Sequence, residues 1–227
     1  EYLEGQTLRE RLEEDRPGLR AALRLAKAVA DALQEAHGAQ VLHRDLKPEN
    51  IFLPRDGRLR VLDFGLAKLA ERVDTARDSI RSLSAGDAAG GTDDDATLPP
   101  GPSDTRPGSI SGTPRYMAPE QWSNQPGQPA TDIWALGVIL YELLTGDHPW
   151  PGKNLLQLGL TVTDPDEPVP PLPDALPAKV SRLVLRCLSR NPDERPTAAA
   201  VVETLEGLLT GATPGREKGS PFRGLLP

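Results

Sequence analysis

The sequence predicts an α+β fold that is mainly helical, with one small β-hairpin. Apolar residues recur at steps of three and four from residue 18 to 37 and from Val180 to Leu188, which is the spacing of one helix face. Residues 132–144 are apolar on nearly all sides, as in a helix at the centre of a core. Two short apolar runs flank Asp56-Gly57, a dipeptide typical of a hairpin turn.

The composition restricts the class of protein. The chain has 227 residues, enough for one large domain or two small ones, and a net charge of −7. This acidic balance argues against a nucleic-acid partner, whose phosphates attract basic surfaces. A single cysteine excludes an internal disulfide and suits a reducing cytoplasm, where we expect the protein. No apolar run reaches the roughly 20 residues of a membrane-spanning helix.

The first half of the chain contains the first helix, the hairpin and a long polar segment. The helix is expected over residues 18–37 and ends at Gly38. The hairpin pairs residues 50–53 with residues 59–62. Residues 71–108 are rich in Ser, Thr, Asp, Gly and Pro and show no apolar period, which predicts a loop or a disordered insertion.

The second half is predicted to be helical apart from one proline-rich stretch. Six prolines between residues 165 and 177 exclude a helix or a central strand there. The amphipathic helix that follows ends before Asn191-Pro192. Thr197 is placed to cap a last helix that ends at Gly211.

Polar clusters on both sides of the hairpin carry the candidate chemistry. The clusters read HRDLKPEN at 43–50, DFG at 63–65 and GTPRYMAPE at 112–120. The hairpin brings Asn50 and Asp63 to the same end, with Asp45 a few residues away. Oxygen ligands in this arrangement suit Mg²⁺, a hard cation.

These clusters resemble, in order and spacing, the motifs of the eukaryotic-type (Hanks-type) serine/threonine protein kinases. Residues 132–137 (DIWALG) and Arg195 match two further motifs of that family, so the resemblance covers about residues 1–210. An excess of arginine over lysine, with 24 Pro and 21 Gly, points to a bacterial member with a GC-rich genome. The resemblance implies a protein-kinase-like fold, with an activation segment at 63–120 and a linker toward a possible further domain at 211–227.

The resemblance also implies the roles of the polar residues. Asp45 would accept the proton of a protein hydroxyl, and Lys47 would balance charge on the phosphoryl group of ATP. Asn50 and Asp63 would hold Mg²⁺. The Lys47 that follows Asp45 is similar to the serine/threonine pattern, so we expect protein substrates with Ser or Thr acceptors.

The adenine site is implied at the start of the chain. Glu1-Tyr2-Leu3 resembles the kinase hinge, where the carbonyl of Glu1 and the amide of Leu3 would meet the base, with Phe52 beneath it. The Gly-rich lid, the phosphate-binding lysine and the paired helix glutamate of the family do not occur in the sequence before this hinge. We therefore expect a C-terminal lobe that is inactive alone, with a non-catalytic kinase-like binding or scaffold module as the alternative.

Regulation is expected in the long polar segment. In the family, an arginine in the position of Arg44 pairs with a phosphorylated residue of the activation segment, and Ser109 and Ser111 lie nearest its fixed end. Thr113 would instead bond Asp45 and Lys47.

Four further assignments complete the site hypothesis. Glu142 is either a receptor for a basic substrate residue or a structural acid. Glu120 and Arg195 resemble a buried ion pair, His43 and Phe64 are expected to be packing residues, and His37 and His148 are expected to be structural.

Overall fold

The computed structural model describes residues 4–55, 57–64 and 114–211. The chain divides into two units, and these described residues all belong to one of them. The helices of the described unit are α1 (Leu8–Glu14), α2 (Leu19–Gly38), α3 (Pro119–Trp122), α4 (Pro129–Thr145), α5 (Leu155–Thr163), α6 (Ala178–Cys187) and α7 (Ala198–Gly211). Its strands are β1 (Gly5–Thr7), β2 (Ile51–Pro54) and β3 (Arg60–Val61).

The strands form a small antiparallel sheet in the order β1-β2-β3. The predicted hairpin is confirmed, because Ile51 pairs with Val61 and Phe52 with Arg60. Strand β1 was not predicted, and its three residues are too few to show an alternating pattern. Gly5 allows its close approach, since a Cβ there would lie 2.4 Å from the carbonyl oxygen of Leu53. Strand β1, near the start of the described residues, lies at one edge of the sheet. Strand β3 lies at the other edge and ends two residues before the candidate metal ligand Asp63.

Helix α4 lies at the centre of the core, as its all-round apolar sequence predicts. Every residue from Thr131 to Leu144 is buried, including the polar Asp132 and Glu142. Gly137 lets α6 pack closely, since a Cβ at this position would lie 2.7 Å from the Cβ of Cys187. Helix α2 covers α4 and α7 with its apolar face, which consists of Ala22, Leu23, Ala26, Val29, Ala30 and Leu33.

The predicted helix boundaries agree with the structure to within two residues for α2 and α7, whereas α6 ends at Cys187, earlier than the predicted end before Asn191-Pro192. The Oγ1 atom of Thr197 accepts a hydrogen bond of 3.2 Å from the amide of Ala200, as expected of a cap. Residues 165–177 connect α5 to α6 through turns and residues without regular secondary structure. No helix within the described ranges is long and apolar enough to cross a membrane. The expected mainly helical fold with a small antiparallel sheet is confirmed.

Candidate active site

A buried carboxylate fixes the polar loop at residues 43–47 to the central helix. Asp132 of α4 is 1% exposed, and its Oδ2 and Oδ1 atoms accept the backbone N–H groups of His43 at 3.0 Å and Arg44 at 2.8 Å. The Nε2 atom of His37, at the end of α2, lies 2.8 Å from Oδ2. Arg44 has a left-handed backbone with φ of 67°, a conformation that costs energy in a non-glycine residue. The two hydrogen bonds from these backbone N–H groups to Asp132 hold this turn and direct the next residue, Asp45, outward.

Asp45 lies in a small hydrogen-bonded cluster at the surface. Lys47 Nζ donates to Asp45 Oδ2 at 2.6 Å, and Asn50 Nδ2 donates to the Asp45 carbonyl at 2.9 Å. The backbone N–H of Asp45 donates to Nδ1 of His43 at 3.3 Å. The Asp45 side chain is 33% exposed, so a hydroxyl group from another molecule can reach its carboxylate. The cluster thus combines an accessible acceptor with a fixed positive charge.

The hairpin places Asp63 next to this cluster. The N–H of Leu62 donates to the carbonyl of Asn50 at 2.7 Å, and Nε2 of His43 lies 2.8 Å from the carbonyl of Leu62. The rings of His43 and Phe64 pack with centroids 4.8 Å apart. Exposed Asp63 follows with a left-handed φ of 62°. Hydrogen bonds and ring packing therefore fix the backbone on both sides of this carboxylate.

The donor set at this end of the hairpin fits Mg²⁺. The amide nitrogen of Asn50 is engaged by Asp45, so its Oδ1 atom faces the other way and is the natural ligand atom. Asp63 adds a carboxylate. Within residues 4–55, 57–64 and 114–211 no group of three or more His, Cys, Asp or Glu side chains forms a cluster for a metal. Two protein ligands suit Mg²⁺, which keeps several waters and binds phosphate oxygens.

Behind the loop, a buried ion pair fixes the segment that contains α3. Arg195 Nη1 and Nη2 donate to Glu120 Oε1 at 2.7 Å and Oε2 at 2.8 Å, and both side chains are almost fully buried. Burial raises the pKa of Glu120, but its bonds to Arg195 and Thr131 outweigh this effect, so the pKa lies below its ordinary value. The neighbouring Gln121 donates to the Arg44 carbonyl at 2.9 Å, which links this segment to the polar loop.

A second polar network beside the loop connects four side chains, those of Arg9, Glu49, Tyr116 and Glu142. The hydroxyl of Tyr116 donates to Glu142 Oε2 at 2.7 Å, and the Arg9 guanidinium on α1 donates to that same hydroxyl. Arg9 Nε donates to Glu49 Oε1 at 3.0 Å, and Arg9 Nη2 lies 3.8 Å from Glu142 Oε2. Burial raises the pKa of Glu142, whereas the Tyr116 bond and the charge of Arg9 lower it, and the net shift is upward. Neither Arg9 nor Glu49 is among the site residues that the sequence predicts.

Comparison with known proteins identifies the family. A family model for the protein kinase domain matches residues 1–205. The chain belongs to the protein kinase family. The expected resemblance to this family is confirmed.

Bacterial serine/threonine-protein kinases are among its relatives. The chain is 38% identical over 208 residues to pkn3 of Myxococcus xanthus. The aligned region covers 88% of this chain and 33% of pkn3. It is 32% identical over 207 residues to PknA of Mycobacterium tuberculosis, covering 91% of the chain and 41% of the relative. It is 34% identical over 197 residues to PknL of the same species, and this alignment covers 86% of the chain and 42% of PknL. The chain thus spans between a third and about two fifths of the length of these relatives.

The structure brings together four of the predicted site residues of the kinase and leaves others outside its described part. Asp45, Lys47, Asn50 and Asp63 lie on one loop and the adjoining hairpin. Phe52 lies on β2, half-buried and paired with Thr7 of β1. The predicted positions Glu1, Leu3, Ser109, Ser111 and Thr113 lie outside the described residues.

Two histidines of the kinase are structural, as expected. His37 contacts Asp132 rather than a substrate surface. His148 is buried, with Nε2 at 2.8 Å from the carbonyl of Arg115 and Nδ1 accepting the N–H of Trp150 at 3.1 Å. Burial lowers the pKa of His148 to about 4, so it is neutral near pH 7.

Proposed function

We propose that this chain provides the phosphoryl-transfer site of a bacterial serine/threonine protein kinase that acts in signalling. The observation that carries the proposal is the Asp45–Lys47–Asn50 cluster, in which an accessible carboxylate is bonded to an ammonium group and positioned by an amide. ATP is the phosphoryl donor that the family uses, together with Mg²⁺. The acceptors are serine or threonine hydroxyls of other proteins.

In this mechanism Asp45 receives the substrate hydroxyl and accepts its proton. The hydroxyl oxygen attacks the γ-phosphorus of ATP, the bond from that phosphorus to the bridging oxygen breaks, and ADP leaves. Lys47, held 2.6 Å from Asp45, adds positive charge beside the transferred group. Asn50 and Asp63 would hold Mg²⁺, which neutralises charge on the phosphates when it is bound.

Adenine binding is assigned to the first residues of the chain and to Phe52 of strand β2. Glu1 and Leu3 supply the backbone groups for the base, and Phe52 supplies an apolar surface below it. Phe52 is well placed for this because β2 continues from the loop that carries Asn50. We also propose that transfer requires an upper lobe with a phosphate lid, and we call the chain together with such a lobe the intact kinase.

Regulation is assigned to the activation segment. Phosphate on Ser109 or Ser111 would pair with Arg44, whose backbone is fixed between Asp132 and Gln121. Thr113 would bond Asp45 and Lys47 and so align the segment with the site.

The experiment that tests this function measures phosphate transfer from labelled ATP to a mixture of acceptor proteins by the intact kinase. Phosphoamino-acid analysis of the products should give phosphoserine and phosphothreonine. Asp45→Asn should abolish the label, whereas Asp31→Asn on the exposed face of α2 should leave it unchanged. Absence of transfer by the wild type, with ATP bound normally, would favour the scaffold alternative.

A further inference from the structure

Arg9 lies beside the candidate active site, because its partner Glu49 adjoins Asn50 of the polar cluster. Its guanidinium lies between Glu49 and Glu142, and the Arg9 side chain is 29% exposed. Glu49 directly precedes Asn50 in the chain and is itself 44% exposed, while the Glu142 side chain is 8% exposed. The two carboxylates therefore form a partly open acidic pair, one member at the surface and one inside.

Helix stability does not explain a cation at this position. Arg9 is the second residue of α1, where the partial positive charge of the helix end disfavours a cation. The helix start is already capped, because Thr7 Oγ1 accepts the amide of Glu10 at 3.2 Å and Glu10 Oε2 accepts the amide of Thr7 at 2.7 Å. The carboxylates of Glu49 and Glu142 are the groups that favour Arg9.

An empty acidic pair at this place would select an arginine in the substrate. The planar guanidinium fork matches carboxylate geometry, and partly buried pairs of this kind are stronger than exposed ones. Arg9 already makes these contacts from within the chain. A tethered group acts at an effective concentration on the order of millimolar or more, so a substrate arginine competes poorly with it.

We propose that Arg9 is a specificity-determining residue, which occupies the Glu49–Glu142 pair from within the chain and thereby removes selection for a basic residue in the protein substrate. The inference rests on the proposed kinase function. It also assigns Glu142: with Arg9 present the acid is a structural partner of Tyr116, and without Arg9 it becomes part of a guanidinium site.

The first test scans one arginine over the five positions on each side of the acceptor in a serine peptide. The intact wild-type kinase should show kcat/KM values that vary less than about threefold, because its acidic pair is occupied. Arg9→Ala should prefer arginine at one position by about tenfold, and Glu49→Gln added to Arg9→Ala should cancel the preference. Arg11→Ala is the matched control on the same helix, since Arg11 pairs along α1 with Asp15 at 3.7 Å, and it should keep the flat profile. A flat profile in an active Arg9→Ala enzyme would overturn the proposal, as would a tenfold preference for arginine in the wild type.

The second test does not need phosphoryl transfer. Methylguanidinium at millimolar concentration should raise the melting temperature of the Arg9→Ala chain and leave that of the wild type unchanged. Glu142→Gln in the Arg9→Ala background should abolish this rise. Equal responses of wild type and Arg9→Ala would overturn the proposal even if the kinase assay gave no signal, so failure of the proposed function and failure of this inference are distinguishable.

Discussion

Replacing Glu120 by alanine removes one half of the buried ion pair that fixes the α3 segment. The Arg195 guanidinium would keep hydrogen bonds to backbone carbonyls, among them those of Ser189 at 2.8 Å and Ala130 at 2.9 Å, but would lose its carboxylate partner. Its charge would remain buried, since its side chain has no exposed surface in the pair. Breaking a buried pair in this way costs about 3–5 kcal/mol.

This cost should be visible as a large loss of thermal stability. For a chain of this size, about 2–4 °C are lost per kcal/mol, so the Glu120→Ala chain should melt about 6–20 °C below the wild type. Asp31→Ala is the control, because Asp31 forms an exposed pair with Lys27 on α2 and its loss should cost less than about 1 kcal/mol.

The loss should also depend on pH. The pKa of Glu120 is lower in the folded chain than its ordinary value of 4.5, so its ionised form stabilises the fold above that pH. The contribution is lost as the pH falls through the folded-state pKa. Urea unfolding should therefore give the full difference between wild type and Glu120→Ala at pH 7 and a smaller one below about pH 4.5. A free energy of unfolding within about 1 kcal/mol of the wild type at pH 7 would refute the structural role.

Three further predictions follow from other parts of the fold. Asp132→Asn replaces an oxygen that accepts a loop amide with an NH₂ group, so the intact kinase should lose at least about tenfold in kcat and the loop amides should exchange hydrogen faster. Gly137→Ala places a Cβ 2.7 Å from a side-chain atom of α6 and should cost about 1–3 kcal/mol in urea unfolding, whereas Gly207→Ala, which meets open space, should not destabilise. Mass spectrometry of the active intact kinase should find phosphate on Ser109 or Ser111, and the double alanine variant should be less active; an unphosphorylated, fully active enzyme would contradict this.

The parts of the fold with strong local patterns could be predicted from the sequence. Helix α4 is apolar on nearly all sides, and the hairpin has a turn dipeptide between two apolar runs. Helix α1 was missed although Thr7 and Glu10 have the spacing of a capping box, which was a readable signal. Strand β1 gave no such signal, because a three-residue strand is stabilised by its pairing with β2 and not by its own pattern.

In the candidate site, too, only the contacts between residues close in sequence could be predicted. Asp45, Lys47 and Asn50 are close in sequence, so their cluster could be predicted from one motif. The contact between Arg9 and Tyr116 joins residues 107 positions apart, so no local sequence pattern could predict it. For the same reason the two interpretations of Glu142 stayed open until the positions of its partners were known.

The catalytic role of Asp45 is the central claim, and a single-turnover measurement tests it most directly. The intact kinase is mixed with saturating ATP and Mg²⁺ and a serine peptide, and the rate constant of transfer is compared between wild type and Asp45→Asn at matched ATP occupancy. The account predicts a fall of about 10²–10⁴-fold, with the dissociation constant for ATP and the melting temperature unchanged. A rate constant for Asp45→Asn within a few-fold of the wild type would contradict it.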